Sequence, residues 1–269
     1  MSKLLRLLSA PLRAEPDFIV IGAQKSGTTS MYAYLVQHPQ IHTCSKKELH
    51  YFDTYIHRGD WFYRSFFPLK SKVKKGDRCG EASTGYLLHP LVPKRIKEFN
   101  PNTKIIALLR DPVDRAISSY HHQIRKGTET HSMEEAFKIE EERLKDHWKK
   151  ILTRSGEDVK KSSKAVRQFS YKKRGMYLEQ LRPYFETFKK ENIYIEYSEN
   201  FFQDPARVLK EIFDFLGVDA NFTPSDLAPK NVKAYADADE SIINWLKDYY
   251  RLPNKELEEF LGKKSPWEY

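Results

Sequence analysis

DFIVIGAQKSGTT, residues 17–29, is the stretch on which the reading of the whole chain turns. Asp17 to Ile21 is a short apolar run of the kind that forms a buried parallel strand. It leads directly into a loop in which Gly22 and Gly27 have the G-x-x-x-x-G spacing of a P-loop. A tight glycine turn aims backbone N–H groups inward, and a helix N-terminus behind it adds partial positive charge. That helix is expected over 27–37, closed by His38-Pro39. Gln24, Lys25, Ser26, Gly27, Thr28 and Thr29 are therefore the candidate phosphate-binding residues. The plain alternative is an ordinary glycine turn between strand and helix.

The departures from a nucleoside-triphosphatase loop are informative. There a lysine follows the second glycine; here Thr28 does, and the lysine lies inside the loop as Lys25. A second buried strand is read at 103–109 (TKIIALL). It ends in Arg110, where a triphosphatase would place a metal-holding Asp. A cation at the C-terminal end of a parallel strand suits phosphate held by Lys and Arg, with no metal required. Pro112 then opens a helix capped by Asp111 and running towards Gly127. Ser118 lies two turns along it, either a hydroxyl donor or a plain helix-face serine. Arg115 reads as a structural partner of Asp111 or Asp114.

Further along, 94–99 reads as helix, 133–152 as one highly charged helix, and 153–170 as a mobile Lys/Ser/Arg-rich excursion. Helix over 177–190, strand over 193–197, helix from Asp204-Pro205 to before Gly217, and helix over 242–261 broken at Pro253 complete the pattern. Alternating strands and helices predict an α/β fold, a P-loop-type parallel sheet with helices on both faces. Residues 1–16 are set apart as a leader, either a short amphipathic surface helix or a frayed, mobile stretch. Residues 17–269 form one domain.

The chain has 269 residues and a formal charge of +9, which favours anionic partners. Its two cysteines, Cys44 and Cys79, form no metal-ligand spacing and fit free thiols in a reducing compartment. No apolar run reaches the roughly 20 residues of a membrane span, and Arg6 interrupts the first one, so no signal peptide is read and a cytoplasmic location is expected.

Between the two anion sites lies KKELHYFD, residues 46–53. Lys46 and Lys47 could hold an anionic substrate. Glu48 and His50 are rival general bases, or surface residues of a loop. Two residues apart in an extended segment, they should point to opposite sides. The aromatics Trp61, Phe62, Tyr63, Phe66 and Phe67 read as core before acceptor wall. The basic run Tyr171 to Arg174 reads as a loop that holds an acidic glycan or is merely solvated.

Taken together, GAQKSGTT, LLRDPVDRAISSYHH and KKELHYFD resemble the PAPS-dependent sulfotransferase family (PAPS is 3′-phosphoadenosine 5′-phosphosulfate). The likeness is to the heparan sulfate N- and 3-O-sulfotransferase branch and its bacterial relatives, and it extends from about Asp17 to the C-terminus. It implies that 22–29 cradles the 5′-phosphosulfate, that Arg110 and Ser118 bind the 3′-phosphate, and that Glu48 is the base. WLKDYYRLPNKELEEFLG resembles the C-terminal helix of the N-sulfotransferases, and PKNVKAYAD stands for the family's Lys/Arg-rich cofactor loop, giving Lys230 and Lys233 as further phosphate partners. Ala82 stands where the eukaryotic glycan enzymes usually carry a substrate-contacting Lys. The implied reaction moves a sulfuryl group from PAPS to a hydroxyl or amine, preferably of a glycan, leaving 3′-phosphoadenosine 5′-phosphate; Lys25 would meet the charge on the leaving phosphate. The competing readings are a magnesium-dependent P-loop kinase or NTPase and a non-enzymatic polyanion-binding protein. Nucleic acid is not an expected partner.

Overall fold

The computed structural model describes residues 3–153, 158–230 and 238–268. The chain opens with α1 (Lys3–Leu8), β1 (Phe18–Gly22), α2 (Thr28–Leu35), β2 (Ile41–Thr43) and α3 (Gly59–Arg64). It continues through β3 (Arg78–Ala82), α4 (Val92–Phe99), β4 (Lys104–Leu109), α5 (Pro112–Arg125), α6 (Met133–Lys138), α7 (Glu140–Thr153) and α8 (Asp158–Phe169). It closes with α9 (Tyr177–Thr187), β5 (Ile193–Tyr197), α10 (Ser198–Gln203), α11 (Pro205–Leu216) and α12 (Glu240–Leu261).

Among the described residues the strands form one sheet in the order β2-β3-β1-β4-β5, and every pairing is parallel. Side chains alternate along β1 and β4, so each strand feeds two cores. Ile19, Ile21, Ile105, Ala107 and Leu109 pack with residues of α4, α9 and α12. Phe18, Val20, Ile106 and Leu108 pack with α2, α10 and α11. This doubly covered parallel sheet is the expected α/β fold.

The order places the first two crossovers on one side of β1 and the later ones on the other. Strand order therefore reverses between β1 and β4, which pair directly through Val20–Ile106 and Gly22–Ala107. Their C-terminal ends lie side by side there, the position where open α/β sheets bind ligands.

Several local expectations need correction. β2 and β3 were not foreseen: β2 has only three residues, and β3 (RCGEA) lacks an apolar run. Residues 133–152 make two helices, because the buried Glu140 carboxylate turns inward to accept the N–H groups of Lys172 and Lys173. Much of the expected mobile excursion is α8, whose Val159 and Val166 pack with Leu88, Leu144 and Ile151. α9 stops at Thr187, and α12 starts at Glu240 and passes through Pro253 without a break. Cap readings at Asp111, Asp204 and Gly217 agree with the structure.

Gly80 in β3 is a packing requirement. A Cβ there would lie 2.2 Å from Phe18 Cζ, inside a fully buried ring. Gly80→Ala should therefore destabilise the fold by about 1–3 kcal/mol through overpacking. Urea unfolding followed by circular dichroism measures this, and an unchanged midpoint would show that the sheet absorbs the methyl.

Candidate active site

The loop after β1 is held in shape from three directions. Lys25 and Gly27 both adopt left-handed backbone, at φ 70° and 82°. Gly27 caps α2, and a Cβ on it would meet the Phe202 ring at 2.6 Å. The Ser198 hydroxyl at the start of α10 donates to the Ser26 carbonyl (2.7 Å). From β4, the Arg110 guanidinium donates to the Lys25 carbonyl (3.3 Å) and pairs with Asp114 (2.9 Å). Inside the loop, Gln24 Oε1 and Ser26 Oγ are buried without a hydrogen-bond partner among the described residues. Buried polar atoms are normally satisfied, so this loop fits an incoming polar ligand.

Arg110 is fixed at its backbone as well. Tyr177 donates its hydroxyl to the Arg110 carbonyl (2.7 Å), and Glu199 accepts the next N–H, from Asp111 (2.9 Å). Ser118 is buried on α5. The neighbouring Ser119 is also buried, and its Oγ has no partner among the described residues. The expected partnership of Arg115 is corrected: Asp114 pairs with Arg110, while the fully buried Arg115 donates to the Tyr171 carbonyl.

The segment 46–53 returns to the same loop. Lys47 Nζ donates to Thr29 Oγ1 (3.0 Å) and lies 3.6 Å from Glu48 Oε1. Burial holds this ammonium below the usual lysine range, with Glu48 pulling it the other way. Glu48 Oε2 accepts the Thr84 N–H (3.0 Å), and the Thr84 hydroxyl donates to Oε1 (3.1 Å). Lys46 is exposed.

Glu48 and His50 do not point apart. Both have left-handed backbone (φ 59° and 52°), so the segment is not extended and the strand-type alternation does not apply. His50 Nε2 lies 3.4 Å from Glu48 Oε2, and His50 Nδ1 lies 3.0 Å from Asp53 Oδ2. Asp53 is buried; burial alone would raise its carboxyl, but His50 and then Arg167 hold it well below the usual range. Arg167, on α8, reaches Asp53 Oδ2 at 3.7 Å and donates to the Thr54 hydroxyl (2.6 Å). Asp53 closes KKELHYFD, but nothing local in the sequence ties it to His50. Thr84 and Arg167 were missed, because nothing local in the sequence links them to Glu48.

Other candidates separate from this group. Lys230 anchors to α2 by donating its N–H to Ser30 Oγ (2.8 Å), and its ammonium pairs with Asp226 (2.6 Å). Lys233 lies outside the described residues. Tyr63 and Phe67 are core, Phe62 and Phe66 pack against it, and Trp61 is exposed. The run 171–174 is largely buried: burial, then Arg115 and Arg167, push the Arg174 guanidinium down to about 9. Among the described residues no group of three or more His, Cys, Asp or Glu could hold a metal.

Residues 15–248 match the family model described as "Sulfotransferase domain". The chain belongs to the sulfotransferase family. One relative is the membrane-associated sulfotransferase kil1 of Dictyostelium discoideum, 28% identical over 94% of this chain and 66% of its own length. Another is the mouse heparan sulfate glucosamine 3-O-sulfotransferase 3B1, 25% identical over 94% of this chain and 65% of its own. The human bifunctional heparan sulfate N-deacetylase/N-sulfotransferase 3 is 29% identical over 92% of this chain and 30% of its own. The chain thus spans about two thirds or less of these relatives. The solved sulfotransferase from Alicyclobacillus acidocaldarius superposes with a TM-score of 0.77 at 28% identity, covering 94% of this chain and 98% of its own. Among the described residues, no helix is long and apolar enough to cross a membrane.

Beneath the Glu48–His50 loop lies Glu81, fully buried at the inner end of β3. Burial pushes its carboxyl up to about 7, against the hydroxyls of Tyr63, Ser83 and Tyr86 that donate to it. A carboxyl raised on folding contributes stability that is present below its unfolded value, near 4.5, and lost as pH rises through the folded value. Glu81 therefore contributes a loss of stability between about pH 4.5 and pH 7, opposed over much of that range by the buried His89, whose imidazole is held down to about 4, and Glu81→Gln should remove the Glu81 part of the slope. Parallel denaturant titrations across this range test it; equal slopes in both proteins would mean Glu81 is ionised throughout.

Proposed function

We propose that this chain transfers a sulfuryl group from PAPS to a hydroxyl or amine of an acceptor, preferably a glycan. One observation carries the reading: Lys47 hydrogen-bonds Thr29 of the phosphate loop while lying beside Glu48, so the donor loop and a candidate base share one side chain.

The transfer needs acceptor atom, sulfur and leaving oxygen roughly in line, with charge stabilised at both ends. The bond from sulfur to the phosphate oxygen breaks as the bond from sulfur to the acceptor forms. Negative charge grows on the phosphate oxygen, where Lys25, the loop N–H groups and the start of α2 offer compensation. The acceptor's proton passes to Glu48. Thr84 orients that carboxylate, and His50, itself held by Asp53, fixes it from the second side. Arg110 and Ser118 are the proposed 3′-phosphate partners, and Lys46 and Lys47 the acceptor-side cations. Lys230 and Lys233 remain proposals for the donor side.

Transfer without a divalent metal is part of the same reading, because Arg110 stands where a triphosphatase would place a metal-holding Asp and Lys25 adds a second cation within the loop. The relatives named for heparan sulfate support a glycan acceptor. A cytoplasmic location is the accompanying proposal, supported by the free buried thiols of Cys44 and Cys79. The test of the whole reading is sulfuryl transfer from isotope-labelled PAPS across a panel of glycan, amine and small-alcohol acceptors, read by mass spectrometry in excess chelator. Transfer to none of them, or activity restored only by magnesium and ATP, would favour the kinase-like alternative.

Glu48→Gln keeps the Thr84 contact geometry but cannot take a proton. Single-turnover transfer to a hydroxyl acceptor should fall by roughly 10²–10⁴-fold while donor binding survives. His50→Ala should lose less, because His50 acts on Glu48 and not on the acceptor. A dead His50 variant beside a near-parental Glu48→Gln would reverse the two roles.

Arg110→Ala should weaken the desulfated product nucleotide by about 1.5–3 kcal/mol through lost charge-assisted hydrogen bonds. Titration calorimetry with and without the 3′-phosphate checks the assignment. A variant that still prefers the 3′-phosphorylated form as strongly as the parent would place that phosphate elsewhere.

A further inference from the structure

The segment ahead of β1 displays apolar side chains to solvent in an unusual way. Leu4, Leu5 and Leu8 of α1 are 66%, 56% and 63% exposed, and Leu12, in the 3-10 turn that follows, is 66% exposed. Trp61, on the adjoining α3, is 57% exposed. Isolated exposed leucines are ordinary, but a contiguous ridge of this kind marks an interaction surface.

The segment that carries the ridge is tied down by polar anchors. Arg13 is buried beneath it and donates to the Phe67 carbonyl (2.5 Å) and to Ser9 Oγ (3.0 Å). The Ala14 N–H donates to the Pro68 carbonyl (2.9 Å). Ala10 is fully buried below the same turn. Arg6 leaves α1 sideways and donates to Ser45 Oγ (2.8 Å), directly before Lys46 and Lys47. The leucine ridge and the acceptor-side segment therefore share one edge of the molecule.

The surrounding charge is basic. Arg58, Lys70 and Lys72 are exposed around the ridge, the last two in the turn after Leu69, which bridges to Arg13. Of the nearby acids, Glu15 pairs with Arg64, while Asp60 keeps its charge and accepts the Tyr51 hydroxyl, leaving the cations in excess. A basic, apolar-tipped surface complements an anionic lipid headgroup layer, where leucine and tryptophan enter the interface and cations stay at the phosphates. A symmetric contact between two copies fits less well, since it would bring like-charged rims together.

We propose that the leucine ridge of α1 and its following turn is a docking surface for anionic phospholipid membranes, which sets the acceptor-side loop beside the lipid surface. The acceptor class that this orientation favours is one presented at a membrane. The lipid binding stands by itself; the acceptor class rests on the reaction proposed above.

The experiment is co-sedimentation of the full chain with vesicles of phosphatidylcholine containing about one third phosphatidylglycerol, against pure phosphatidylcholine. The parent should bind the anionic vesicles at least about tenfold more tightly, and added salt should weaken that binding. The double variant Leu5→Ser/Leu8→Ser should lose about tenfold or more in vesicle affinity. These side chains are outside the core, so thermal unfolding and transfer to a soluble acceptor should be unchanged. Lys70→Glu/Lys72→Glu should remove the preference for anionic lipid. No binding by the parent, or equal binding by the leucine variant, overturns the proposal. So does a parent dimer in light scattering that the leucine variant dissolves, which would assign the ridge to a second copy.

Discussion

The parallel pairing of β1 with β4 is the constraint on which the site depends. It sets Gly22 and Leu109 at adjacent strand ends, so the loop that follows one and the arginine that follows the other must meet. Arg110 then closes the meeting by donating to the Lys25 carbonyl. That contact uses one guanidinium group to support a neighbouring backbone turn and, through Asp114, the first turn of α5. A planar fork with several donors can do both and still present N–H groups elsewhere; a lysine could not. The loop's left-handed Lys25 and Gly27 are held from the β4 side by this bond and from the α10 side by Ser198.

A second constraint governs the segment 48–51. Non-glycine residues in left-handed backbone cost of order 1–3 kcal/mol each, and persist where surroundings over-determine them. Glu48 and His50 are two such residues separated by one position. Their surroundings are specific: the Glu48 N–H donates to the Ala82 carbonyl, the His50 N–H to Ser83 Oγ, and the Tyr51 N–H to the Tyr86 hydroxyl. Ser83 and Tyr86 in turn donate to the buried Glu81. The end of β3 is thus a template for the segment 48–51. Its conformation is what turns two side chains, expected on opposite sides, into neighbours.

What could be read from sequence follows from this division. β1, β4 and β5 are apolar runs bounded by loops, and the caps at Asp111, Asp204 and Gly217 carry local signals, so the α/β pattern was legible. β3 reads RCGEA and was not, because its glycine is demanded by Phe18 on the neighbouring strand and its glutamate by three hydroxyls from elsewhere. The phosphate loop and Arg110 were legible as candidates because their chemistry sits in consecutive residues. The union of Glu48, His50, Asp53, Thr84 and Arg167 was not, since it depends on backbone hand at two positions and on a helix more than a hundred residues away. α8 itself was hidden by a Lys/Ser-rich composition whose two valines reveal their role only when Leu144 and Ile151 lie opposite.

The ionisable side chains around Glu48 are ordered in a way that bears on the proposed reaction. From the phosphate loop outward they run Lys47, Glu48, His50, Asp53 and Arg167, each within 4 Å of the next by the distances above. At rest the Glu48 carboxylate draws on both Lys47 and His50. If Glu48 takes the acceptor's proton as proposed, its hold on Lys47 would weaken, while Lys47 hydrogen-bonds Thr29 of the loop after β1. The ammonium's field would then be less compensated on the side where the proposed leaving phosphate gains negative charge. Since Lys47 is half-buried, that field is screened less than it would be at the surface. Proton transfer at one end of the reacting line would thereby strengthen charge stabilisation at the other, and it would do so without moving a side chain. At the far end Asp53 holds His50 Nδ1 and pairs with Arg167, so a charge change at Glu48 would meet a side already compensated towards α8 and an ammonium facing the loop after β1.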